Sequence, residues 1–551
     1  MRLTIILILL SALSLAQSPR DINARDLISF PSIRNLELHS ASQTIIYERR
    51  EADLKANTYR KQLWKIQTDG TQNRQFTYSS GNEWDPQLSP TGHCVAFFSD
   101  RPDDLDKPGT RIWAMAISGG EAKPLTGSER DILDFKWSAD GNYIYYLTPE
   151  IKAKQTKAWV TEREKSGFDA IDRTAERPKI EVWMVDRISC KHERLFIGDP
   201  GISSFDIDPR GETLVYSTNY TGDDNDWVET DIFLFSIPDS SGPRQLTSAK
   251  GAENTPLFSP DGHLIAYERP QDARKPFSQN EIETITVRGN TIKRITRDLD
   301  LNVGAFKWYS DQALLLEINQ GMNNHLYTAS LNGQTTEISG GASYFFRSAV
   351  DPGSAGIAVV RQSATSLSEI VYSKGPGHPW GILTDQSAAL ETLQIHPQTA
   401  YHWQSRDGRF NLQGLVVLPH FSGNDPLPLI VDIHGGPAAR TDIALEQFAM
   451  YQAWASQGFA VFSPNFRGST GYSAVFQTAN YRDLGGGDYH DIMCGVKDLI
   501  RRGVAHTDSL VIMGGSYGGY MTNWVITQTN LFEVAASRYG IFDLKSDFSN
   551  S

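Results

Sequence analysis

Between Leu36 and Gln362 one short pattern returns along the chain. Leu88-Ser89-Pro90-Thr91-Gly92-His93-Cys94-Val95-Ala96-Phe97 recurs as Phe258-Ser259-Pro260-Asp261-Gly262-His263-Leu264-Ile265-Ala266-Tyr267. Looser copies run from Trp137 to Tyr146 and from Ile207 to Tyr216, and degenerate ones start near Ser40, Ser310 and Asp351. Each is a Pro/Asp-Gly turn that feeds a strand of aromatic and β-branched residues, a hairpin signature. A second theme lies between copies. Leu63-Trp64-Lys65-Ile66 leads to Thr68-Asp69-Gly70, Ile112-Trp113-Ala114-Met115 to Pro124-Leu125-Thr126, and Ile232-Phe233-Leu234-Phe235 to Gln245-Leu246-Thr247. That is another hairpin, so one repeat makes four antiparallel strands. A sheet this small cannot bury its faces alone, and units stacked radially at a spacing of about 40–50 residues make a β-propeller. Seven copies predict seven blades. A β-sandwich array is the alternative, but it would not require the turn to return at a regular period. The widest gap, between the third and fourth copies, contains a charged insertion from Ile151 to Lys179, expected to form a loop or short helix on one rim.

Near Thr384 to Gln398 the repeat fades and strands begin to alternate with helices. Leu415 to Pro419, Ile430 to His434, Phe459 to Ser463 and Ser509 to Met513 read as strands. Phe448 to Gln457 and Asp491 to Arg502 read as helices. Such alternation predicts a mostly parallel sheet covered on both faces, with ligands at the carboxyl ends of its strands. His434-Gly435-Gly436, Arg467-Gly468 and Ser516 all fall at such ends and should converge. The expected organisation is a leader over 1–16, a propeller over 17–390 and an α/β-hydrolase domain over 391–551.

The chemistry is carried by Gly514-Gly515-Ser516-Tyr517-Gly518-Gly519. A buried strand precedes it, and Tyr520 to Ile526 reads as the helix that follows. Strand, Gly-x-Ser-x-Gly, helix is the nucleophile elbow of a serine hydrolase. A serine hydroxyl is a weak nucleophile until a base takes its proton. The tetrahedral intermediate needs N–H donors for its oxyanion, here from Tyr517 and from the Gly435-Gly436 segment, with Gly436 the candidate. A base held by a carboxylate is the third need. In this fold the order is Ser, then Asp or Glu, then His. Thirty-five residues follow Ser516, and none is a histidine. The expectation is a hydrolase domain truncated at its C-terminus, inactive as given, lacking the Asp and His of its triad. His434 precedes the nucleophile and is expected to shape the oxyanion loop. Asp488 and Asp491 read as an acidic helix start rather than metal ligands. Asp543 and Asp547 follow the serine too closely to be assigned to a triad.

Composition narrows the setting. A net charge of −13 argues against nucleic acid as the main partner. Met1-Arg2, the apolar run Leu3 to Leu15 and Ser14-Leu15-Ala16 read as a secretory signal cleaved before Gln17. The run falls short of the ~20 residues that a spanning helix needs, so a secreted or periplasmic protein with no membrane attachment is expected. Cys94, Cys190 and Cys494 imply no disulfide framework. Asn219-Tyr220-Thr221 is a glycosylation sequon, meaningful only in a host that glycosylates. No metal or organic cofactor is indicated.

The motifs together resemble the prolyl oligopeptidase family of serine peptidases, in the branch of acylaminoacyl peptidases and secreted dipeptidyl-peptidase V enzymes. The resemblance rests on His434-Gly435-Gly436-Pro437, Asn465-Phe466-Arg467-Gly468-Ser469-Thr470-Gly471-Tyr472, Asp483-Leu484-Gly485-Gly486-Gly487-Asp488 and the stretch from Gly514 to Trp524. Ser473 stands where that branch usually has Gly. The resemblance implies a peptidase acting on short peptides, its propeller screening out folded proteins. It implies Ser516 as nucleophile, Tyr517 and Gly436 as backbone oxyanion donors, and Tyr520 and Trp524 as walls of the site. Release of dipeptides needs a group that binds a free amino terminus, and Glu162 and Glu164 in the rim insertion are candidates. Release of acylated residues does not need one. A non-catalytic propeller binding protein with a relict hydrolase half is the alternative, and an esterase using the same elbow ranks below both.

Overall fold

Antiparallel units of four strands follow one another from Ser32 to Ile382 in a computed structural model of the chain. The structure describes residues 19–102, 109–127, 131–150, 178–221, 223–238, 242–275, 277–289, 291–420 and 425–545. The leader and the rim insertion with Glu162 and Glu164 lie outside the described residues. Five units are separate sheets, and the sixth and seventh share one eight-stranded sheet through a single parallel pairing of Asn324 with Tyr344. Each copy of the turn motif joins the first and second strands of its unit. The recurring Ser or Asp explains why that turn repeats. Ser89, Ser138 and Ser259 each accept an N–H five residues on through Oγ, at 3.1, 2.9 and 2.9 Å, and Asp208 does so through Oδ1 at 2.8 Å. These side chains stand in for backbone acceptors in the tight turn.

A second hydroxyl repeats at the outer edge. The fourth strand of most units is only two or three residues long. Just past it, the hydroxyls of Thr77, Thr126, Thr247, Thr296 and Thr384 accept the N–H of Leu63, Ile112, Ile232, Ile282 and Ile370 at 2.8–3.0 Å. Ser339 does the same for Leu326 at 2.9 Å. Apolar faces of successive units meet in shared cores. The first unit packs on the seventh in this way, with Leu36 and Ile45 sharing a core with Ala349, Val360 and Ile370. Innermost strands carry β-bulges in six units, which bend and twist them. They line a charged cavity of about 730 Å³ with Glu37, Asp85, Asp134, Lys136, Lys307 and Arg347.

The remaining chain forms a six-stranded sheet. Its strands are β1 (Gln398–Gln404), β2 (Asn411–Val417), β3 (Leu427–Ile433), β4 (Ala460–Asn465), β5 (Ala505–Gly515) and β6 (Val534–Arg538). The order is β1-β2-β4-β3-β5-β6, antiparallel at β1-β2-β4 and parallel beyond. Three helices cover it: α1 (Ala449–Ser456), α2 (Gly487–Arg501) and α3 (Tyr517–Gln528). Alternate residues divide the faces. Leu412, Val431, Phe462 and Ile512 bury against Val496 of α2 and Met521 and Val525 of α3. Leu415, Val417 and Val461 bury against Tyr451 and Ala455 of α1, together with Met322 of the sixth unit. Helix α2 begins at Gly487, four residues before the start expected at Asp491.

Backbone and side-chain bonds tie the two halves together. Gly321 N–H donates to Gly471 O at 2.6 Å, Ile443 N–H to Met322 O at 2.9 Å and Leu445 N–H to Ser363 O at 2.9 Å. Arg440 donates to Asn319 and is held by Asp442. The segment from Arg20 to Ser29, assigned from sequence to the repeat domain, lies at this junction. Arg20–Asp21 pairs in parallel with Leu393–Gln394, and Ile22 shares a core with Leu367, Leu393 and Leu445. Cys94, Cys190 and Cys494 are all unpaired. No helix among the described residues is long and apolar enough to cross a membrane.

Phe462 is fully buried where Trp403, Tyr401 and Gly495 meet. Phe462→Ala leaves a cavity under α2 and should cost about 3–5 kcal/mol. Urea denaturation monitored by tryptophan fluorescence checks this.

Candidate active site

Strand β5 ends at Gly515 and helix α3 starts at Tyr517, so the whole reversal falls on Ser516. Its backbone stands at φ 55°, ψ −121°. A non-glycine residue keeps such a conformation only where its surroundings over-determine it. Three contacts do so. Ser516 N–H donates to Arg538 O on β6 at 3.2 Å, and Tyr520 N–H donates to Ser516 O at 3.0 Å. Gly518 brings α3 so close to β3 that a Cβ there would run into the Ile433 carbonyl. The Ser516 side chain is left exposed at the tip of the turn.

The loop after β3 comes to the same point. A Cβ on Gly435 would lie 3.4 Å from Ser516 Cβ and 3.9 Å from its Oγ. Gly436 holds φ 114°, a left-handed conformation that favours glycine, and its peptide bond to Pro437 is cis. Tyr517 is the first residue of α3, and N–H groups of a first helical turn have no intrahelical partner. Thus the Gly435–Gly436 loop lies beside Ser516, with Tyr517 next along the chain at the start of α3.

His434 is built into this loop and not presented to the serine. It is half-buried and stacked on Phe466 at 4.4 Å between ring centroids. Its Nδ1 is 2.7 Å from Gly435 O, and its Nε2 is 2.9 Å from Ser469 Oγ. Burial pulls its pKa down to about 4, against the opposing hydrogen bond to Gly435, so it is neutral at ordinary pH. Asp543 follows β6, and its Oδ1 accepts the N–H of Lys545 at 3.1 Å. Asp547 lies outside the described residues.

The two aspartates read as a helix start have specific partners. Asp488 lies in the first turn of α2, is wholly buried and accepts the Tyr517 hydroxyl. Asp491 lies a turn further on and receives Arg467 through two bonds of 2.8 Å, plus the Arg467 backbone N–H at 3.0 Å. Asp407 takes a third guanidinium nitrogen at 3.0 Å, and that bond holds its carboxyl well below the usual range. Tyr520 and Trp524, expected as walls, are bound to the loop before α2. Tyr520 Oη donates to Leu484 O at 3.3 Å and Trp524 Nε1 to Gly485 O at 2.7 Å.

Sequence reasoning missed the residues that brace the elbow from β6. Arg538 Nη2 donates to Asp432 Oδ1 at 2.6 Å, and Tyr451 Oη donates to Asp432 Oδ2 at 3.0 Å. Burial raises the Asp432 pKa while Arg538 opposes the rise. The ring of Tyr539 lies over Gly515, and Tyr539 is 82 % exposed. An Asp inside an apolar central strand was the one available signal, because a buried carboxylate requires a partner.

Known proteins resemble this chain in sequence and in fold. Residues 446–551 match the prolyl oligopeptidase family model. An uncharacterized peptidase, YuxL, of Bacillus subtilis is 26 % identical over 94 % of this chain and 82 % of its own length. Dipeptidyl-peptidase 5 of Porphyromonas gingivalis is 21 % identical over 94 % of this chain and 78 % of its own. In fold, the chain is similar to an acylaminoacyl peptidase solved with a peptide chloromethyl ketone, with TM-score 0.78, 21 % identity and coverage of 95 % and 79 %. It is also similar to a puromycin-hydrolyzing peptidase of Mycobacterium tuberculosis, with TM-score 0.72, 16 % identity and coverage of 96 % and 81 %.

The buried contact under Tyr517 gives a pH signature. Burial raises Asp488 from 3.8 to about 6. Between those values the folded protein keeps a proton that the unfolded chain has lost, so stability falls as pH rises through that window. The slope contributed is at most ~1.4 kcal/mol per pH unit. Asp488→Asn should flatten it in urea titrations across this range, and an unchanged slope would show that Asp488 stays ionised.

Proposed function

Resemblance to the prolyl oligopeptidase family of serine peptidases is the premise, and from it we propose that this protein is a serine exopeptidase of short peptides. The reaction runs through an acyl-enzyme at Ser516. The observation that carries the reading is the exposed Ser516 at its strained turn, facing the Gly435–Gly436 loop. Ser516 Oγ attacks the scissile carbonyl carbon as its proton passes to a general base. The carbonyl oxygen becomes an oxyanion facing the N–H groups of Tyr517 and Gly436. The base passes that proton to the departing nitrogen as the intermediate collapses and the amine leaves, and water, deprotonated by the same base, then hydrolyses the ester and returns the proton to Ser516 Oγ. His434 is unsuited to be the base, because both its ring nitrogens are engaged and its charged form is disfavoured.

The seven units form, in this reading, a closed propeller over 17–390, which limits access to the hydrolase domain of 391–551. The packing of the first unit on the seventh supports closure. Tyr520 and Trp524 wall the site by fixing the loop before α2. The apolar leader sends the protein to a secreted or periplasmic compartment. Dipeptidyl and acylaminoacyl release both fit the premise.

In the full-length natural protein, Ser516→Ala should lower kcat/KM for peptide hydrolysis by at least about 10⁴-fold and abolish labelling by a fluorophosphonate probe. Hydrolysis that survives the substitution would sink the assignment. Absence of labelling in the unmutated protein would favour the propeller as a binding module.

A further inference from the structure

The inner strands of the repeat units bring charged side chains to one register. Glu37, Lys136, Asp206 and Lys307, from the first, third, fourth and sixth units, each pair with the third residue of the strand that follows, namely Ile46, Tyr145, Val215 and Leu315. Asp134 stands two residues before Lys136, and Asp85 and Arg347 come from the bulged stretches of the second and seventh units. All of these except Asp206 line the cavity of about 730 Å³ among the inner strands. The inner strand of the fifth unit, Asn254–Phe258, carries no charge.

These charges are segregated around the cavity. Glu37, Asp85, Asp134 and Asp206 belong to the first four units, whereas Lys307 and Arg347 belong to the sixth and seventh. Lys136 stands among the carboxylates. Burial lowers its pKa, but Asp134, Asp206, Asp85 and Glu37 together outweigh burial and raise it. Its ion-pair contact is Asp134 at 3.9 Å. Asp206 accepts the Phe258 N–H at 2.8 Å. Glu317, a further carboxylate of the lining, is engaged by the bulge beside Arg347, where it accepts the Ser348 N–H and hydroxyl, both at 2.7 Å. Glu37, Asp85, Lys307 and Arg347 have no side-chain hydrogen bond or ion pair among the described residues. Opposite charges therefore share one cavity without reaching each other. A desolvated charge without a partner is costly, and charged cleft walls focus their field on what enters. No three His, Cys, Asp or Glu side chains among the described residues converge to hold a metal ion. A simple anion would meet the carboxylates, and a simple cation would meet the lysines. A ligand with a cation at one end and an anion at the other suits both sets. Its ammonium offers three donors to the carboxylates, and its carboxylate accepts from an ammonium and a guanidinium fork.

We propose that this cavity of the repeat units binds a small zwitterion, a di- or tripeptide with both ends free, its ammonium at Glu37 and Asp85 and its carboxylate at Lys307 and Arg347. The site is built from the repeat units alone and does not rest on the reading of Ser516. Capping either end of the peptide removes one pole, so acylated and amidated peptides bind weakly.

Calorimetric titration at neutral pH of the full chain carrying Ser516→Ala, which removes turnover, tests this with three probes. Glycylglycine should bind at least roughly 10-fold tighter than N-acetylglycylglycine or glycylglycine amide. Added to that background, Lys307→Gln should weaken glycylglycine by a similar factor and leave the amide, which has no carboxylate, unchanged. Asp85→Asn should weaken glycylglycine and leave the acetylated peptide, which has no ammonium, unchanged. Such paired losses place each end of the ligand beside its residue. A peptide held at the hydrolase site instead would respond to neither variant. No binding of glycylglycine, equal affinity for the three peptides, or a variant that changes none of them or all three alike overturns the proposal. Circular dichroism melting establishes that each variant folds, and Arg347→Gln and Glu37→Gln repeat the two comparisons where one does not.

Discussion

Ser516 sits where no serine would rest in an unconstrained chain, and the site depends on what keeps it there. Its positive φ is held by hydrogen bonds on both sides of the residue, one from β6 and one inside α3. Neither would form without the close crossing of α3 over β3, which Gly518 permits. The turn therefore depends on the packing of the sheet. That is also why the bracing residues Arg538 and Asp432 belong to the site without touching its exposed face.

Charge is distributed by depth. Beneath the loops, Arg467 is clamped by Asp491 and Asp407 in bonds with defined geometry. Such a buried pair fixes conformation more surely than it adds stability. Under the helix start, Asp488 accepts a hydroxyl, and burial raises its proton affinity against that bond. Between the two halves, Arg269 and Arg274 each have a carboxylate partner, whereas among the described residues Glu268 has none. The first two arrangements consume their charges internally, whereas the third leaves one carboxylate without a partner among the described residues.

Much of the fold was legible because local chemistry repeats. The Ser-Pro-x-Gly and Asp-Gly turns specify their own hydrogen bonds, so copies as distant as Ser89 and Ser259 can be matched by eye. The threonines beyond the short outer strands repeat just as faithfully but were read only as strand ends, because a single hydroxyl carries no local pattern. The elbow and the His434-Gly435-Gly436 segment were legible because their glycines answer to close approach. The partners of Asp488 and Asp491 were not, since a carboxylate at a helix start reads the same whether solvated or buried. The roles expected of Tyr520 and Trp524 omitted the loop they bind, which lies more than thirty residues earlier.

The sequence by itself determined the four-stranded repeats, the later α/β alternation and the sharp turn at Ser516, because each depends on contacts within a few residues. Only the tertiary structure decided that His434 faces Ser469, that Arg538 braces the turn from a strand beyond the helix and that Glu268 opens into a cavity shared by both halves. Those outcomes depend on distances between segments far apart in the chain. The side chains involved, a histidine, an arginine and a glutamate, acquire their character from what desolvates or neutralises them there.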